Sequence, residues 1–211
     1  GPIEYVKSDI RQSLKEDFMN DKFPSQCNLC ESRESMGIKS TRKEVIQWFN
    51  TNRPETRKYE LNEDVDVMRL ELRFSNLCNF KCRMCEPYSS SELAKELAEH
   101  DGYKFPGLGS ETVIRSDQKQ IEELKQLAHK IKALCFTGGE PFLIKEYYDF
   151  MDYLVEEDLA KDIGVEVFTN CSTYNEKFIS RLMEFKSVRF VASIDGVGKT
   201  AEYIRHGTKW N

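Results

Sequence analysis

The sequence predicts an α/β fold in which parallel strands alternate with helices, preceded by a small helical N-terminal unit. Three observations lead to this prediction. Residues 68–74 alternate strictly between apolar and charged side chains, which is the period of a strand with one buried face. Further short apolar runs alternate with segments of helical periodicity, a pattern typical of parallel βαβ units. Residues 1–65 carry helical periodicity without such runs.

We interpret residues 1–65 as one domain and residues 66–211 as a second. In the first domain, apolar residues at every fourth position predict one amphipathic helix: Val6, Ile10, Leu14 and Phe18. Residues 23–26 end this helix and lead to Cys27 and Cys30. A second helix is expected to begin near Ser40 or Thr41, with Thr41 and Glu44 spaced as a capping box. The polar residues 51–65 are interpreted as a linker.

The second domain is expected to contain four strands. After the strand at 68–74, the others are predicted at 132–137, 164–169 and 188–194. Helices are expected after an N-cap among residues 89–91, at about 118–131, after Pro141, from about Asn175 and near residues 201–204. Residues 100–116 contain glycine and proline and are expected to be irregular.

Residues with chemical potential follow each predicted strand. They are the cysteine-rich loop after the first, Gly138–Pro141 after the second, Thr169–Cys171 at the end of the third and Ser193–Gly196 at the end of the fourth. The carboxyl ends of parallel strands meet at one edge of a sheet, and ligands bind there in such folds. We therefore expect these four segments to form one site.

The most informative segment is the cysteine loop. Cys78, Cys82 and Cys85 have the spacing C-x3-C-x2-C, and no fourth cysteine lies nearby. Three thiolates on one loop can hold three irons of a cubane cluster and leave the fourth iron open to a small molecule. A structural zinc site requires four protein ligands, so a zinc knuckle or chance clustering is the less favoured interpretation.

Composition narrows the function classes. The net charge of -5 gives no general support for nucleic-acid binding, and no apolar run approaches the length of a membrane span. The cysteine count of 7 is odd, unlike that of a secreted disulfide scaffold, so we expect a reducing compartment, the cytoplasm. Cys135 lies inside an apolar strand and is expected to be a buried small hydrophobe.

The combination of motifs resembles radical S-adenosylmethionine (SAM) enzymes. It rests on the cysteine loop, Gly138-Gly-Glu-Pro141, Thr169-Asn170 and Ser193-Ile-Asp-Gly196. A finer similarity is to the SPASM/twitch branch. It rests on residues 136–143, on residues 193–198, and on Cys27-x2-Cys30 followed by Glu34, Gly37, Ser40 and Arg42. The fold that this resemblance implies is a partial (βα) barrel of the radical SAM type.

The resemblance implies that Cys78, Cys82 and Cys85 ligate a [4Fe-4S] cluster whose open iron binds SAM. Reductive cleavage of SAM would give a 5′-deoxyadenosyl radical that abstracts hydrogen from a peptide, protein or small-molecule substrate. The residues implied to contact SAM are Met84, Gly138, Gly139, Glu140, Pro141, Thr169, Asn170, Ser193, Asp195 and Arg205. Among these, Glu140 would accept from the SAM ammonium group and Arg205 would pair with its carboxylate. An electron donor such as flavodoxin or ferredoxin is the implied partner, with neither nucleic acid nor membrane.

The sequence also departs from the family pattern. Met84 stands where an aromatic residue is common, and Cys171 stands where glycine follows Thr-Asn. Four predicted strands are fewer than the six of the usual barrel, so we expect a fragment, a split gene product or a chain trimmed at both ends.

Two questions stay open at this point. Cys27 and Cys30 form half of a metal site, for an auxiliary iron–sulfur cluster or zinc in an intact protein, or else a free thiol pair. The alternative to an enzyme is a non-catalytic metal-binding or iron–sulfur module, or an interaction protein, derived from a truncated radical SAM protein.

Overall fold

The computed structural model describes residues 1–52, 68–106 and 110–210. The chain divides into two compact units, Gly1–Asp66 and Val67–Asn211, and each is described here by itself. The predicted linker at 51–65 lies almost entirely outside the described residues.

The N-terminal unit is helical. Its helices are α1 (Pro2–Val6), α2 (Asp9–Met19), α3 (Asn28–Ser35) and α4 (Thr41–Asn52). The prediction of one continuous helix through residues 6–18 was wrong, because α1 ends at Val6 and Ser8 begins a new helix. The Ser8 hydroxyl accepts a hydrogen bond from the Arg11 amide at 3.3 Å, which caps α2.

Two further features of this unit differ from the sequence-based expectation. Helix α3 was not predicted; Cys27 is its N-cap, Cys30 lies in its first turn, and both side chains are half-buried. Ser40 rather than Thr41 caps α4, because the Ser40 hydroxyl accepts from the Lys43 amide at 3.2 Å.

A carboxylate joins α3 to α4. The Glu34 side chain is 9% exposed, and its two oxygens accept from Arg42 Nε at 3.1 Å and Arg42 Nη2 at 2.5 Å. The Ser40 hydroxyl donates to the same carboxylate. The hydrogen bonds from Arg42 and then Ser40 lower the pKa of Glu34 to about 2. Arg42 also lies over the Phe23 ring at 4.9 Å, so one arginine connects three segments of the unit.

This network predicts an acid-labile N-terminal unit. A carboxyl group whose pKa is lower in the folded than in the unfolded state stabilises the fold above its unfolded pKa, and this contribution is lost as the pH falls. For Glu34 the loss should fall between its ordinary pKa of 4.5 and its folded pKa of about 2. Urea unfolding followed by Trp48 fluorescence in a Trp210→Phe background measures it.

The matched variant is Glu34→Gln. Its free energy of unfolding should be lower than that of the parent near neutral pH. Between about pH 5 and about pH 2, this free energy should fall by less than it does in the parent. Equal pH dependence in the two proteins would show that Glu34 does not carry this effect.

The second unit is the α/β fold that the sequence predicts. Its strands are β1 (Arg69–Leu72), β2 (Lys81–Cys82), β3 (Ala133–Phe136), β4 (Gly164–Thr169), β5 (Ser187–Ala192) and β6 (Arg205–His206). Strands β1, β3, β4 and β5 form a sheet in that order, and all of their pairings are parallel. These are the four predicted strands, so the prediction of a parallel sheet is confirmed. The architecture is consistent with a partial radical SAM (βα) fold.

Helices connect the strands. They are α5 (Ser91–Asp101), α6 (Gln118–Leu127), α7 (Lys145–Glu156), α8 (Glu176–Leu182) and α9 (Gly198–Ile204). Ser90 caps α5 and Asn175 caps α8, each accepting from the amide three residues on. The predicted helix at 118–131 ends at Leu127 and continues as a 3-10 turn, and Pro141 begins a 3-10 turn before α7. Within the described ranges, no helix has the length and apolarity that a bilayer-spanning segment needs.

One face of the sheet packs on helices and forms the core. The strands contribute Leu72, Leu134, Phe136, Val165 and Val167, and the helices contribute Ile121, Leu124, Phe150, Met151, Leu154, Phe178 and Leu182. The fully buried Tyr147 hydroxyl lies 2.5 Å from the Leu72 carbonyl oxygen and 2.8 Å from that of Thr137. It therefore joins the ends of β1 and β3, immediately before the two loops that form the site.

Candidate active site

A cavity of about 450 Å³ opens at the carboxyl ends of the strands. From the sequence-predicted residues, its lining includes Cys78, Cys82, Cys85, Gly138, Gly139, Glu140, Asn170, Ser193 and Arg205. Segments that are far apart in the sequence thus meet in one place. The other predicted residues, Met84, Pro141, Thr169 and Asp195, stand outside this lining.

The cysteine loop is held by polar side chains that the sequence did not single out as site residues. Asn76 is 1% exposed; its Nδ2 donates to the carbonyl oxygens of Pro87 at 2.8 Å and Thr112 at 3.0 Å, and its Oδ1 accepts from the Ile114 amide at 2.7 Å. The Ser91 hydroxyl lies 3.2 Å from both the amide nitrogen and the carbonyl oxygen of Cys78. Such buried polar contacts fix a loop in one conformation.

A second contact to the loop comes from the end of the chain. Strand β6 pairs antiparallel with β2, which sets Arg205 opposite Cys82. The Arg205 guanidinium donates through Nε to Asp195 at 2.5 Å, and its Nη1 lies 3.8 Å from Cys82 Sγ. Asp195 thus reaches the site through Arg205.

The three thiols differ in their electrostatics. Burial raises the pKa of Cys78 to about 11. A hydrogen bond with Cys85, reinforced by the charge of Arg205, lowers the pKa of Cys82 to about 7, and the same bond raises the pKa of Cys85. Within the Cys82–Cys85 pair, these contacts favour the thiolate form at Cys82.

Gly138 and Gly139 pack directly on the cysteine loop. The amide of Gly139 donates to the Ser75 carbonyl oxygen at 3.0 Å, and the amide of Glu140 donates to that of Leu77 at 2.8 Å. A Cβ atom on Gly139 would lie 2.0 Å from the Leu77 carbonyl oxygen, so no other residue fits there. Gly138 has φ of +95°, which disfavours a side chain as well.

Glu140 connects this turn to the end of β4. Its side chain is buried, and Oε1 accepts from the Thr169 hydroxyl at 2.7 Å while Oε2 accepts from the Asn170 amide at 2.8 Å. Oε1 also accepts from the Phe142 amide at 3.4 Å. Burial raises the pKa of the Glu140 carboxyl, although these hydrogen bonds oppose the shift. The carboxylate is therefore engaged chiefly by protein donors.

Asn170 connects the end of β4 to the cysteine loop. Its Nδ2 donates to Asn79 Oδ1 at 3.0 Å and lies 4.0 Å from Cys78 Sγ. The next residue, Cys171, has φ of +58° and is exposed. Positive φ favours glycine, so the backbone keeps the glycine-like turn although the residue is cysteine.

The remaining predicted residues have distinct positions. Met84 is 53% exposed, whereas Pro141 is buried and opens the 3-10 turn. Thr169 is buried behind the cavity and accepts from the Cys171 amide at 3.0 Å. The Ser193 amide donates to the Thr169 carbonyl oxygen at 2.8 Å, which ties the loop after β5 to the end of β4.

The chemistry of these residues fits an iron–sulfur cluster and a small polar cofactor. Three sulfurs line one cavity, and N–H donors from Asn170 and Arg205 are directed at two of them. In the described part of the chain, no three His, Cys, Asp or Glu side chains are grouped to hold a single metal ion. A cubane cluster does not need three side chains on a single metal ion, because each thiolate binds a different iron.

The family follows from a comparison with known proteins. A model of the radical SAM superfamily matches residues 72–210. The chain belongs to the radical SAM superfamily. The match begins at the last residue of β1 and covers β2 to β6, so it includes the cysteine loop, the diglycine turn and Arg205.

Two curated relatives of this radical SAM protein are distant. The radical SAM cyclopropyl synthase TigE of Paramaledivibacter caminithermalis (strain DSM 15212 / CIP 107654 / DViRD3) is 26% identical over 145 residues, which cover 67% of this chain and 30% of TigE. The sporulation killing factor maturation protein SkfB of Bacillus subtilis (strain 168) is 26% identical over 134 residues, covering 64% of this chain and 28% of SkfB. The chain therefore spans less than a third of the length of these relatives.

Proposed function

We propose that this radical SAM protein binds a [4Fe-4S] cluster through Cys78, Cys82 and Cys85 and binds SAM at the adjoining cavity. The observation that carries the proposal is the meeting of the three sulfurs, the diglycine turn and Arg205 around one cavity. When bound, the reduced cluster and SAM supply a 5′-deoxyadenosyl radical for hydrogen abstraction from an unreactive C–H bond.

The chain's own residues would bind and orient these groups. Cys82 is the thiol that the protein already poises for deprotonation, and iron would complete the deprotonation of the other two. The bare backbone at Gly138 and Gly139 lets the methionyl end of SAM approach closely. Arg205 would face the SAM carboxylate while Asp195 holds its guanidinium, and Ser193 and Asn170 supply polar groups at the same rim.

Glu140 is assigned a positioning role in this proposal. Because its oxygens accept from Thr169, Phe142 and Asn170, it fixes the end of β4. Any bond to the SAM ammonium group would be an additional one, and Met84 and Pro141 would contribute through their backbone.

The wider assignment to the SPASM/twitch branch is part of the proposal. Cys27 and Cys30 would then supply two ligands of an auxiliary iron–sulfur cluster or zinc in the intact protein, and the chain would be one piece of a longer enzyme. A reduced flavodoxin or ferredoxin would donate the electron. The name of SkfB, a maturation protein for a sporulation killing factor, favours a peptide or protein as the substrate over a free small molecule.

Turnover of SAM tests the proposal. The anaerobically reconstituted, dithionite-reduced chain should convert SAM to 5′-deoxyadenosine and methionine, measured by mass spectrometry. Cys171→Gly, which alters a cysteine outside the cavity lining, should retain this conversion. A bound cluster without any 5′-deoxyadenosine would contradict the proposal and favour a non-catalytic iron–sulfur module.

A further inference from the structure

The sheet face turned away from the helices carries five charged side chains. We call this set the charged floor: Arg69, Glu71, Arg73, Glu166 and Arg189. The first four line the same cavity as the three cysteines. Strand register sets Glu71, Cys135, Glu166 and Arg189 in one row across the sheet. The floor is therefore a continuous polar surface below the cysteine loop.

The glutamates of the charged floor are engaged by protein donors. Glu166 is 15% exposed and forms ion pairs with Arg69 at 3.6 Å and with Arg189. Glu71 Oε1 accepts from Arg73 Nε at 3.1 Å, from Arg73 Nη2 at 3.0 Å and from the Thr137 hydroxyl at 3.1 Å. A ligand that enters the cavity thus meets glutamates that are already satisfied in part.

The arginines of the charged floor have donors to spare. Three guanidinium groups carry about fifteen N–H donors, against about eight acceptor positions on two carboxylates. Arg73 directs both its Nε and its Nη2 at a single oxygen of Glu71. The side chains of Arg69, Arg73 and Arg189 are 39%, 59% and 73% exposed, so a ligand can reach them.

A carboxylate group on a ligand would match the excess of N–H donors and of positive charge in the charged floor. It offers acceptors only, and its two oxygens suit the fork of an arginine. The one further carboxylate in the cavity lining, Glu140, faces Thr169, Phe142 and Asn170 and so competes little for these donors. From these observations we propose that the charged floor is a substrate subsite that binds a carboxylate carried by the substrate, chiefly through Arg73.

The position of the subsite sets the geometry of substrate binding. Arg69 and Arg73 are separated by four residues of strand, or about 13 Å along the sheet. Arg73 lies nearer to the rim, because only Phe74 separates it from Ser75, which binds Gly139. A substrate anchored at Arg73 therefore extends toward the cysteine loop. This inference rests on the proposed function, since it assigns a substrate group to the same cavity.

Binding of small peptides tests the proposal without any turnover. The probes are acetyl-Ala-Glu-Ala amide and its glutamine counterpart, titrated into the full 211-residue chain and followed by the NMR amide signals of Thr137 and Phe168. The glutamate peptide should bind at least tenfold more tightly than the glutamine peptide. A second pair, acetyl-Ala-Ala-Ala with a free or an amidated C-terminus, distinguishes a terminal carboxylate from a side-chain carboxylate as the source.

Single arginine substitutions identify the residue that binds the peptide carboxylate. Arg73→Gln should reduce the preference for glutamate by about tenfold. The matched control is Arg115→Gln, because Arg115 is a half-exposed arginine that pairs with Glu146 outside the cavity; it should leave the preference unchanged.

Carboxylate binding by the charged floor and cleavage of SAM can each fail without the other. Equal binding within both pairs of peptides, or a loss in Arg115→Gln as large as in Arg73→Gln, would overturn the carboxylate subsite even if SAM is cleaved. Selective binding that depends on Arg73 would support the subsite, and it can be observed even if SAM turnover fails.

Discussion

Replacing Gly139 with alanine is expected to destroy the site. The added Cβ would lie 2.0 Å from the Leu77 carbonyl oxygen and 2.5 Å from the Leu77 carbonyl carbon. Both are backbone atoms of the cysteine loop, so no side-chain rotation can relieve the clash. We expect the second unit to lose about 3 kcal/mol of unfolding free energy or more, and the protein to fail to retain iron after reconstitution. Urea unfolding and iron analysis measure the two effects.

Gly102→Ala is the matched control for the Gly139 variant. Gly102 also lies in the second unit and has φ of +64°, but a Cβ there would meet no atom within 4 Å. It should therefore cost only about 1 kcal/mol, from the positive φ, and leave iron binding unchanged. Similar losses in the two variants would show that contact with the cysteine loop is not what makes Gly139 necessary.

Replacing Glu140 with alanine is expected to release the end of β4. The Asn170 amide and the Thr169 hydroxyl would lose acceptors at 2.8 Å and 2.7 Å. Leaving buried donors without a partner costs about 1 to 3 kcal/mol for each group, so we expect a total of about 3 kcal/mol. Hydrogen–deuterium exchange of residues 169–172 should rise markedly, and urea unfolding gives the stability change.

Glu140→Gln separates the hydrogen bonds from the volume of the side chain. The amide keeps one acceptor oxygen, which can serve Asn170, so the loss should be about half that of the alanine variant. Faster exchange at 169–172 should accompany the alanine variant far more than the glutamine variant. If neither variant changes exchange in this segment, Glu140 does not position Asn170.

Much of the second unit could be predicted because its patterns are local. Strand β1 was identified by the alternation of Met68–Phe74, and the other strands by short apolar runs between helical segments. The edge at which the motifs meet follows from the rule for parallel sheets. Even Cys135 was correctly expected to be buried, since it is 3% exposed.

Contacts that depend on tertiary structure could not be predicted. Strands β2 and β6 have two residues each, too few for a periodic signal, and so the contact of Arg205 with Cys82 had no signature in the sequence. The Glu140 carboxylate lies beside Thr169 only because β3 and β4 are neighbours in the sheet. Arg69 and Arg73 were recognised only as the charged face of a strand, because the cavity beside them is a property of the fold.

The helical unit was harder to predict for a different reason. The four-residue spacing of Val6 and Ile10 continues through the break at Lys7–Ser8, since Ser8 starts α2 in nearly the same periodicity. Helix α3 contains few apolar residues, so no amphipathic pattern marked it. A capping signal at Ser8, which is available from the residue type, would have identified the break.

Two measurements test whether Cys78, Cys82 and Cys85 hold a [4Fe-4S] cluster that binds SAM. One is the iron and acid-labile sulfide content of the anaerobically reconstituted chain. The other is its electron paramagnetic resonance spectrum before and after addition of SAM. We expect about four irons and four sulfides per chain and a reduced signal that SAM alters. Cys78→Ala, Cys82→Ala and Cys85→Ala should each lose this signal, whereas Cys171→Gly should retain it. A signal that survives in the three alanine variants would show that these cysteines do not hold the cluster. A signal that SAM leaves unchanged in the parent protein would show that the cluster does not bind SAM.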